Sequence, residues 1–309
     1  MEQRAVGRLT VSLAGLGTNN FGRRLDGAET RAVVEAALDA GVTHFDTADI
    51  YGDGRSEEYL GRALGRRRDD VTIASKFGYQ GPPPGSDRQA DWVPRSLEAT
   101  LRRLGTDRLD LFYYHKPDPG TPILDTLRVL NSLVDRGLAR EIGCSNFTTA
   151  QLDEAARTAR EHDLRGFAVV QNEYSLIDRS AEQSGLLDAA VSQGIAFVPY
   201  FPLASGLLSG VYRRGRPTPP GSRLGGDGRP AERIITARRL DLVERLAGYA
   251  EAHDHTLLEL ALSYLAAHAP VGTVIAGATS ADQVRANAAA TGAWALSEEQ
   301  LGEVAGLLG

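Results

Sequence analysis

The sequence predicts an α/β protein folded as a closed (β/α)8 barrel, with an N-terminal β-hairpin and an extra C-terminal helix. Three observations carry that reading. Short apolar runs alternate eight times with segments of helical period. Those runs are apolar throughout, as in a parallel sheet covered on both faces. The glycine fingerprint of an open dinucleotide-binding sheet is incomplete, because Gly15-Leu16-Gly17 continues as Thr18-Asn19-Asn20 where a third glycine is needed. Eight βα units suit a chain of 309 residues, so residues 1–309 are expected to form one barrel domain.

Taken in order, residues 5–13 alternate apolar and polar positions and predict the hairpin. Barrel strands are expected at 14–17, 42–46, 71–76, 109–113, 139–144, 167–171, 195–199 and 272–276. Helices are expected at 28–40, 56–65, 94–104, 122–136, 149–162, 181–193, 237–252 and 256–268, with another opening near Ala281. Gly41 suits the left-handed end of the first helix. Residues 297–308 form the extra helix, where Ser297-Glu298-Glu299-Gln300 has the capping-box pattern. Long loops at 80–87 and 213–233 leave the C-terminal ends of the third and seventh strands, the end at which barrel active sites are built.

Composition narrows the function classes. Hydrophobic residues make up 42% and charged residues 24%, an ordinary globular balance. The net charge of −6 speaks against nucleic-acid and anionic-membrane partners. The basic runs at 66–68 and 213–214 are read as solvated faces. Cys144 is the only cysteine, which excludes an intrachain disulfide. With neither a signal peptide nor an apolar run of about 18 residues, the expected location is the cytoplasm; the oligomeric state stays open. Six histidines offer no pair at the strand ends for a metal hydrolase.

The strand ends carry the chemistry. Asp46 ends the second strand and Tyr51 follows in its loop; Lys76 ends the third, and His115 follows the fourth. In a barrel these adjacent ends converge on one mouth. A phenol of pKa about 10 is a poor acid at neutral pH. A neighbouring ammonium favours its anion, and a carboxylate behind that ammonium keeps it charged. Lowering such a pKa by about 3 units takes about 4 kcal/mol of differential stabilisation. Each residue alone reads more simply as a cap, a surface charge or a core aromatic. Together they suit protonation of a carbonyl oxygen while hydride reaches its carbon.

Phe45-Asp46-Thr47-Ala48-Asp49-Ile50-Tyr51-Gly52, Ser75-Lys76 and His115 resemble the tetrad motifs of the aldo-keto reductase superfamily, and the resemblance runs over nearly the whole chain. It implies carbonyl reduction with NADPH, or possible use of NADH, bound without a Rossmann domain. Tyr51 would be the acid, Lys76 and Asp46 its tuning pair, and His115 the orienting group. The same resemblance implies cofactor contacts from Gly17, Thr18 and Asp46, and from Ser145, Asn146 and Gln171 at the nicotinamide carboxamide. Tyr200 would stack on the nicotinamide. Pro202, Leu203, Ser205, Gly206 and Leu208 would cover the pyrophosphate, with Arg223 further along that loop. Gly277, Thr279, Gln283 and Asn287 would hold the adenosine end. Many members carry Arg or Lys where this chain has Thr279, Lys at Val211 and Glu at Ala286. The pattern is similar to the branch that includes potassium-channel β subunits.

Asn20, Phe21, Tyr51, Tyr79, Trp92 and His115 are expected around the substrate, a small-molecule carbonyl. A broad aldehyde or ketone reductase is the first reading. A nucleotide-linked keto-deoxysugar 2,3-reductase is the second, since Gly-Leu-Gly-Thr-Asn-Asn-Phe-Gly and Tyr-Phe-Pro-Leu-Ala-Ser-Gly are similar to such enzymes. The third is a cofactor-binding regulatory protein with little turnover.

Overall fold

A computed structural model describes residues 1–80, 89–218, 222, 224, 225 and 234–309. A hairpin of β1 (Gln3–Val6) and β2 (Leu9–Ser12) precedes eight parallel strands. These are β3 (Ala14–Gly17), β4 (His44–Asp46), β5 (Thr72–Phe77), β6 (Leu109–Tyr114), β7 (Ala139–Ser145), β8 (Val169–Glu173), β9 (Ala196–Tyr200) and β10 (Val274–Gly277). The sheet order is β10-β3-β4-β5-β6-β7-β8-β9. The ring closes where Phe197 N–H donates to Pro270 O at 2.6 Å and accepts on its carbonyl from Gly272 N–H at 3.0 Å. The protein is therefore a (β/α)8 barrel.

The surrounding helices are α1 (Gly27–Asp39), α2 (Arg55–Leu64), α3 (Gln89–Leu104), α4 (Ile123–Asp135), α5 (Thr149–Glu161), α6 (Ser180–Gln183), α7 (Leu186–Gln193), α8 (Ala237–Ala252), α9 (Leu257–Ala267), α10 (Ala281–Ala290) and α11 (Glu298–Leu308). Reciprocal capping boxes open α1 (Asp26, Glu29), α5 (Thr148, Gln151), α9 (Thr256, Glu259) and α11 (Ser297, Gln300). Such caps are worth about 1 kcal/mol each. Several strand ends shift by one or two residues, and two helices differ from expectation by more. The helix expected at 181–193 is two helices, because Gly185 turns left-handed at φ +73° between α6 and α7. The helix expected from 94 begins at Gln89, upstream of Pro94, where burial of Trp92 and Val93 anchors the added turn.

The hairpin plugs the N-terminal end of the barrel. Val6, Leu9 and Val11 pack inside against Ala74, Leu111, Tyr113, Val169, Val198 and Ile275. Arg8 ties the plug to Glu141 at 2.7 Å, and Arg4 Nη1 donates to Ala266 O at 2.7 Å and Val271 O at 2.9 Å. Outside the barrel, α2 and α3 meet at Gly61, where a Cβ would lie 2.2 Å from Leu104 O. Among the described residues no helix is long and apolar enough to cross a membrane.

Candidate active site

β4 and β5 run side by side in register, so Asp46 and Lys76 reach the same C-terminal rim. Lys76 is fully buried, and its ammonium donates to the Asp46 carboxylate and, at 2.7 Å, to Thr47 O. Gln171 Nε2 donates to the other Asp46 oxygen at 2.8 Å. Burial pulls the Lys76 pKa below the ordinary lysine range, and Asp46 opposes that pull. The Lys76 ammonium lies 5.3 Å from the Tyr51 ring centroid.

His115 follows β6, its N–H bonded to Phe77 O at 2.8 Å. Its ring meets Tyr51 edge-on, with centroids 6.2 Å apart. Burial and the Lys76 charge push its pKa down to about 3, so the imidazole is neutral at pH 7. Asn146, at φ +61°, donates to His115 O at 2.9 Å and accepts from the Tyr200 hydroxyl at 2.7 Å. Beneath lies a buried polar layer: Glu57 accepts from Ser75 Oγ at 2.5 Å and Arg103 Nε at 2.6 Å. Beside it, burial and Glu57 push Asp49 up to about 7.

Two cavities adjoin across shared walls of Phe201, Pro202 and Gly277. The first, about 450 Å3, takes in Gly17, Thr18, Asp46, Tyr51, Tyr79, His115, Ser145, Asn146, Gln171 and Tyr200. The second, about 470 Å3, takes in Asn20, Leu203, Ser205, Gly206, Thr279, Gln283 and Asn287. Val211 and Ala286 line the second with Thr279, so the three departures from the family pattern share one chamber.

These features fit a nicotinamide dinucleotide. Gly277 puts bare backbone on the shared wall, where a Cβ would stand in ordinary contact with Asn19 and Asn20, at 3.5 Å from each, and take up part of that space. Asn19 Oδ1 and His115 Nδ1 are buried without partners among the described residues, leaving polar atoms for a ligand. Ala204, Ser205 and Gly206 have successive positive φ of 45°, 60° and 99°, which curves this loop along the second chamber; the Ala204 and Gly206 N–H groups are spent on Phe201 O and Leu203 O. Ser280 caps α10 through Gln283 N–H, at the wall of the second chamber.

Several sequence expectations need correction. Phe21 and Trp92 line neither cavity: Phe21 is fully buried, and Trp92 packs edge-on to Phe77, at 5.6 Å, in the hydrophobic core. Apolar area outweighed their place in mouth loops. Asn20 lines the second chamber rather than the first, held there by its bond to Ala278 O at 3.1 Å. Leu208 is fully buried, and its N–H is bonded to Leu203 O. Thr18 contributes a wall only, because its hydroxyl serves Asp46 O and Ser56. Arg223 lies outside the described residues. Sequence reasoning missed Asn19, Arg23, Arg24, Ile50 and Phe201, all cavity-lining, while Lys116 lies in the segment after His115 from which substrate contacts were expected. Adjacency to the motif residues was the available signal for most of them.

Fold and site together define a barrel protein with a phenol, a buried lysine–carboxylate pair and a neutral imidazole at its mouth. The profile of the Aldo/keto reductase family matches residues 14–308. Similar chains include a "Probable voltage-gated potassium channel subunit beta" of Oryza sativa subsp. japonica, 36% identical over 86% of this chain and 83% of that one. An "L-glyceraldehyde 3-phosphate reductase" of Escherichia coli (strain K12) is 30% identical over 98% of this chain and 91% of its own. "Aldo-keto reductase str7" of Strobilurus tenacellus is 32% identical over 97% and 87%. The chain belongs to the aldo/keto reductase family, a family of oxidoreductases that reduce carbonyl groups with a nicotinamide dinucleotide.

Proposed function

We propose that this protein reduces an aldehyde or ketone to the alcohol, with NADPH preferred over NADH. The observation that carries the reading is the buried Lys76–Asp46 pair beneath Tyr51, with neutral His115 beside it in the same cavity. When bound, the dinucleotide supplies hydride to the carbonyl carbon. Tyr51 gives its hydroxyl proton to the carbonyl oxygen. Lys76, held charged by Asp46, favours the resulting phenolate. His115, neutral and therefore no rival acid at pH 7, orients the oxygen by a hydrogen bond.

Ser145, Asn146, Gln171 and Tyr200 would hold the nicotinamide end, and Pro202, Leu203, Ser205 and Gly206 the pyrophosphate. Gln283, Asn287 and the α10 N-terminus would hold the adenosine end. The preference for NADPH is supported by that helix end and by Arg24, the only charged side chain among the described residues lining the second chamber. The aldehyde named for the Escherichia coli relative supports the substrate class. The relatives named as channel β subunits favour a second reading, a dinucleotide-binding regulatory protein with little turnover.

A panel of aldehydes and ketones, including a nucleotide-linked keto-sugar, tests the proposal by loss of reduced-nicotinamide absorbance with either cofactor. Turnover with NADPH that falls in Tyr51→Phe supports it. Tight dinucleotide binding without turnover of any carbonyl would move the protein to the regulatory reading.

A further inference from the structure

The catalytic cavity carries a charge imbalance that carbonyl reduction itself does not require. Asp46, the one carboxylate lining it among the described residues, is occupied by Lys76 and Gln171. Two further charged side chains line it, Arg23 and Lys116, and both are cations. Neither makes an ion pair among the described residues, in a chain whose net charge is −6.

Both cations are exposed side chains at the rim, on backbone that its surroundings fix. Arg23 sits in a tight turn in which Arg23, Arg24 and Leu25 N–H groups all donate to Asn20 O, at 3.3, 2.9 and 3.1 Å. Buried Phe21 and Leu25 anchor that turn. It also rests on α2 so closely that a Cβ on Gly22 would fall 2.4 Å from Arg55 Cβ. Lys116 follows His115 directly, with its ammonium 5.9 Å from the Tyr79 ring centroid; that ring lies 4.8 Å from His115. The two loops leave β3 and β6, three strands apart around the barrel.

We propose that Arg23 and Lys116 make the mouth selective for carbonyl substrates bearing an anionic group, a phosphate or a carboxylate. The inference rests on the carbonyl-reductase reading above. It adds a substrate class set by chemistry outside the tetrad: hydride and proton act at the carbonyl, while a distant anion is gripped by two cations at the rim. Arg23 suits a planar, two-pronged grip on either oxyanion, and Lys116 supplies a point charge.

Matched aldehydes read the effect: glyceraldehyde 3-phosphate against glyceraldehyde, and 4-oxobutanoate against butanal. The ratio of kcat/KM, charged over neutral, is expected at about 10 to 100 and falling with added salt. Arg23→Ala and Lys116→Ala should each lower that ratio about tenfold. A drop in the phosphate pair alone assigns a phosphate, and one in the carboxylate pair alone a carboxylate. A ratio near one in the native enzyme, or one unmoved in the double variant, overturns the inference and leaves carbonyl reduction standing. Calorimetry of glycerol 3-phosphate and succinate with the NADP+-saturated protein supplies an arm independent of turnover. Binding lost in the double variant supports the anion site even where no aldehyde is reduced; equal binding in both proteins, or none in the native one, counts against it.

Discussion

Gln171 reaches from β8 across the barrel mouth to donate to Asp46 on β4, four strands away in the sheet order. Asp46 is thus held by Lys76 from the next strand and by Gln171 from the far side. An amide expected to serve the cofactor also positions the carboxylate that holds Lys76. Gln171→Leu should therefore weaken NADPH binding about tenfold and lower kcat about tenfold, while the stranded Asp46 oxygen costs about 1–3 kcal/mol of stability. Cofactor titration, steady-state kinetics and urea unfolding read the three effects. A loss confined to cofactor affinity would show that the Asp46 contact is incidental.

Tyr51→Phe tests the proton donor. It should lower kcat about 100-fold or more while NADPH affinity stays within about twofold. Lys76→Met should lower kcat as well and shift the pH profile of the residual activity. Unaltered turnover in Tyr51→Phe on every substrate would remove the tyrosine from its role.

For the cofactor, Thr279→Arg adds a second cation to the chamber that already holds Arg24. NADPH should bind about tenfold tighter, with NADH nearly unchanged. In the native protein NADPH should bind about 10- to 100-fold tighter than NADH. Fluorescence titration of both dinucleotides decides it. An unchanged ratio in the variant would put the 2′-phosphate elsewhere.

Asp49 is pushed from its ordinary 3.8 up to about 7, first by burial and then by Glu57. Its ionised form is thus disfavoured in the folded state, and the associated stability is lost as pH rises from about 4 through about 7. Asp49→Asn should be more stable than the native protein above pH 7, by up to about 4 kcal/mol, with no advantage below about pH 4. Urea unfolding across that range is the measurement. A variant whose gain persists at pH 3 would point to packing instead of ionisation.

The barrel was legible because eight apolar runs between helix-period segments leave few other architectures. Asp46, Lys76 and His115 were legible for a related reason: parallel strands share a C-terminal rim, so strand-end residues meet there. Phe21, Trp92 and Leu208 were misplaced because a loop or motif position does not reveal which way an apolar side chain turns. Asp49 looked like one more motif acid, since its ionisation depends on Glu57, eight residues on and folded against it. Arg23 and Lys116 have the composition of any exposed surface; only the shape of the cavity distinguishes them.

The plug of the barrel joins the beginning of the chain to its last quarter. Arg4 bonds to Ala266 and Val271, and Ala14 of β3 pairs with Val274 of β10. During synthesis the first strand must therefore wait until more than 260 residues have followed it, as the Arg4–Ala266 separation of 262 requires. Val6, Leu9 and Val11 meet Ala74, Leu111, Val169 and Val198 from earlier strands, but Ile275 completes their cluster only at the end of the chain. The seal of the barrel thus rests on contacts of very large sequence separation, the kind that forms late and slowly in folding.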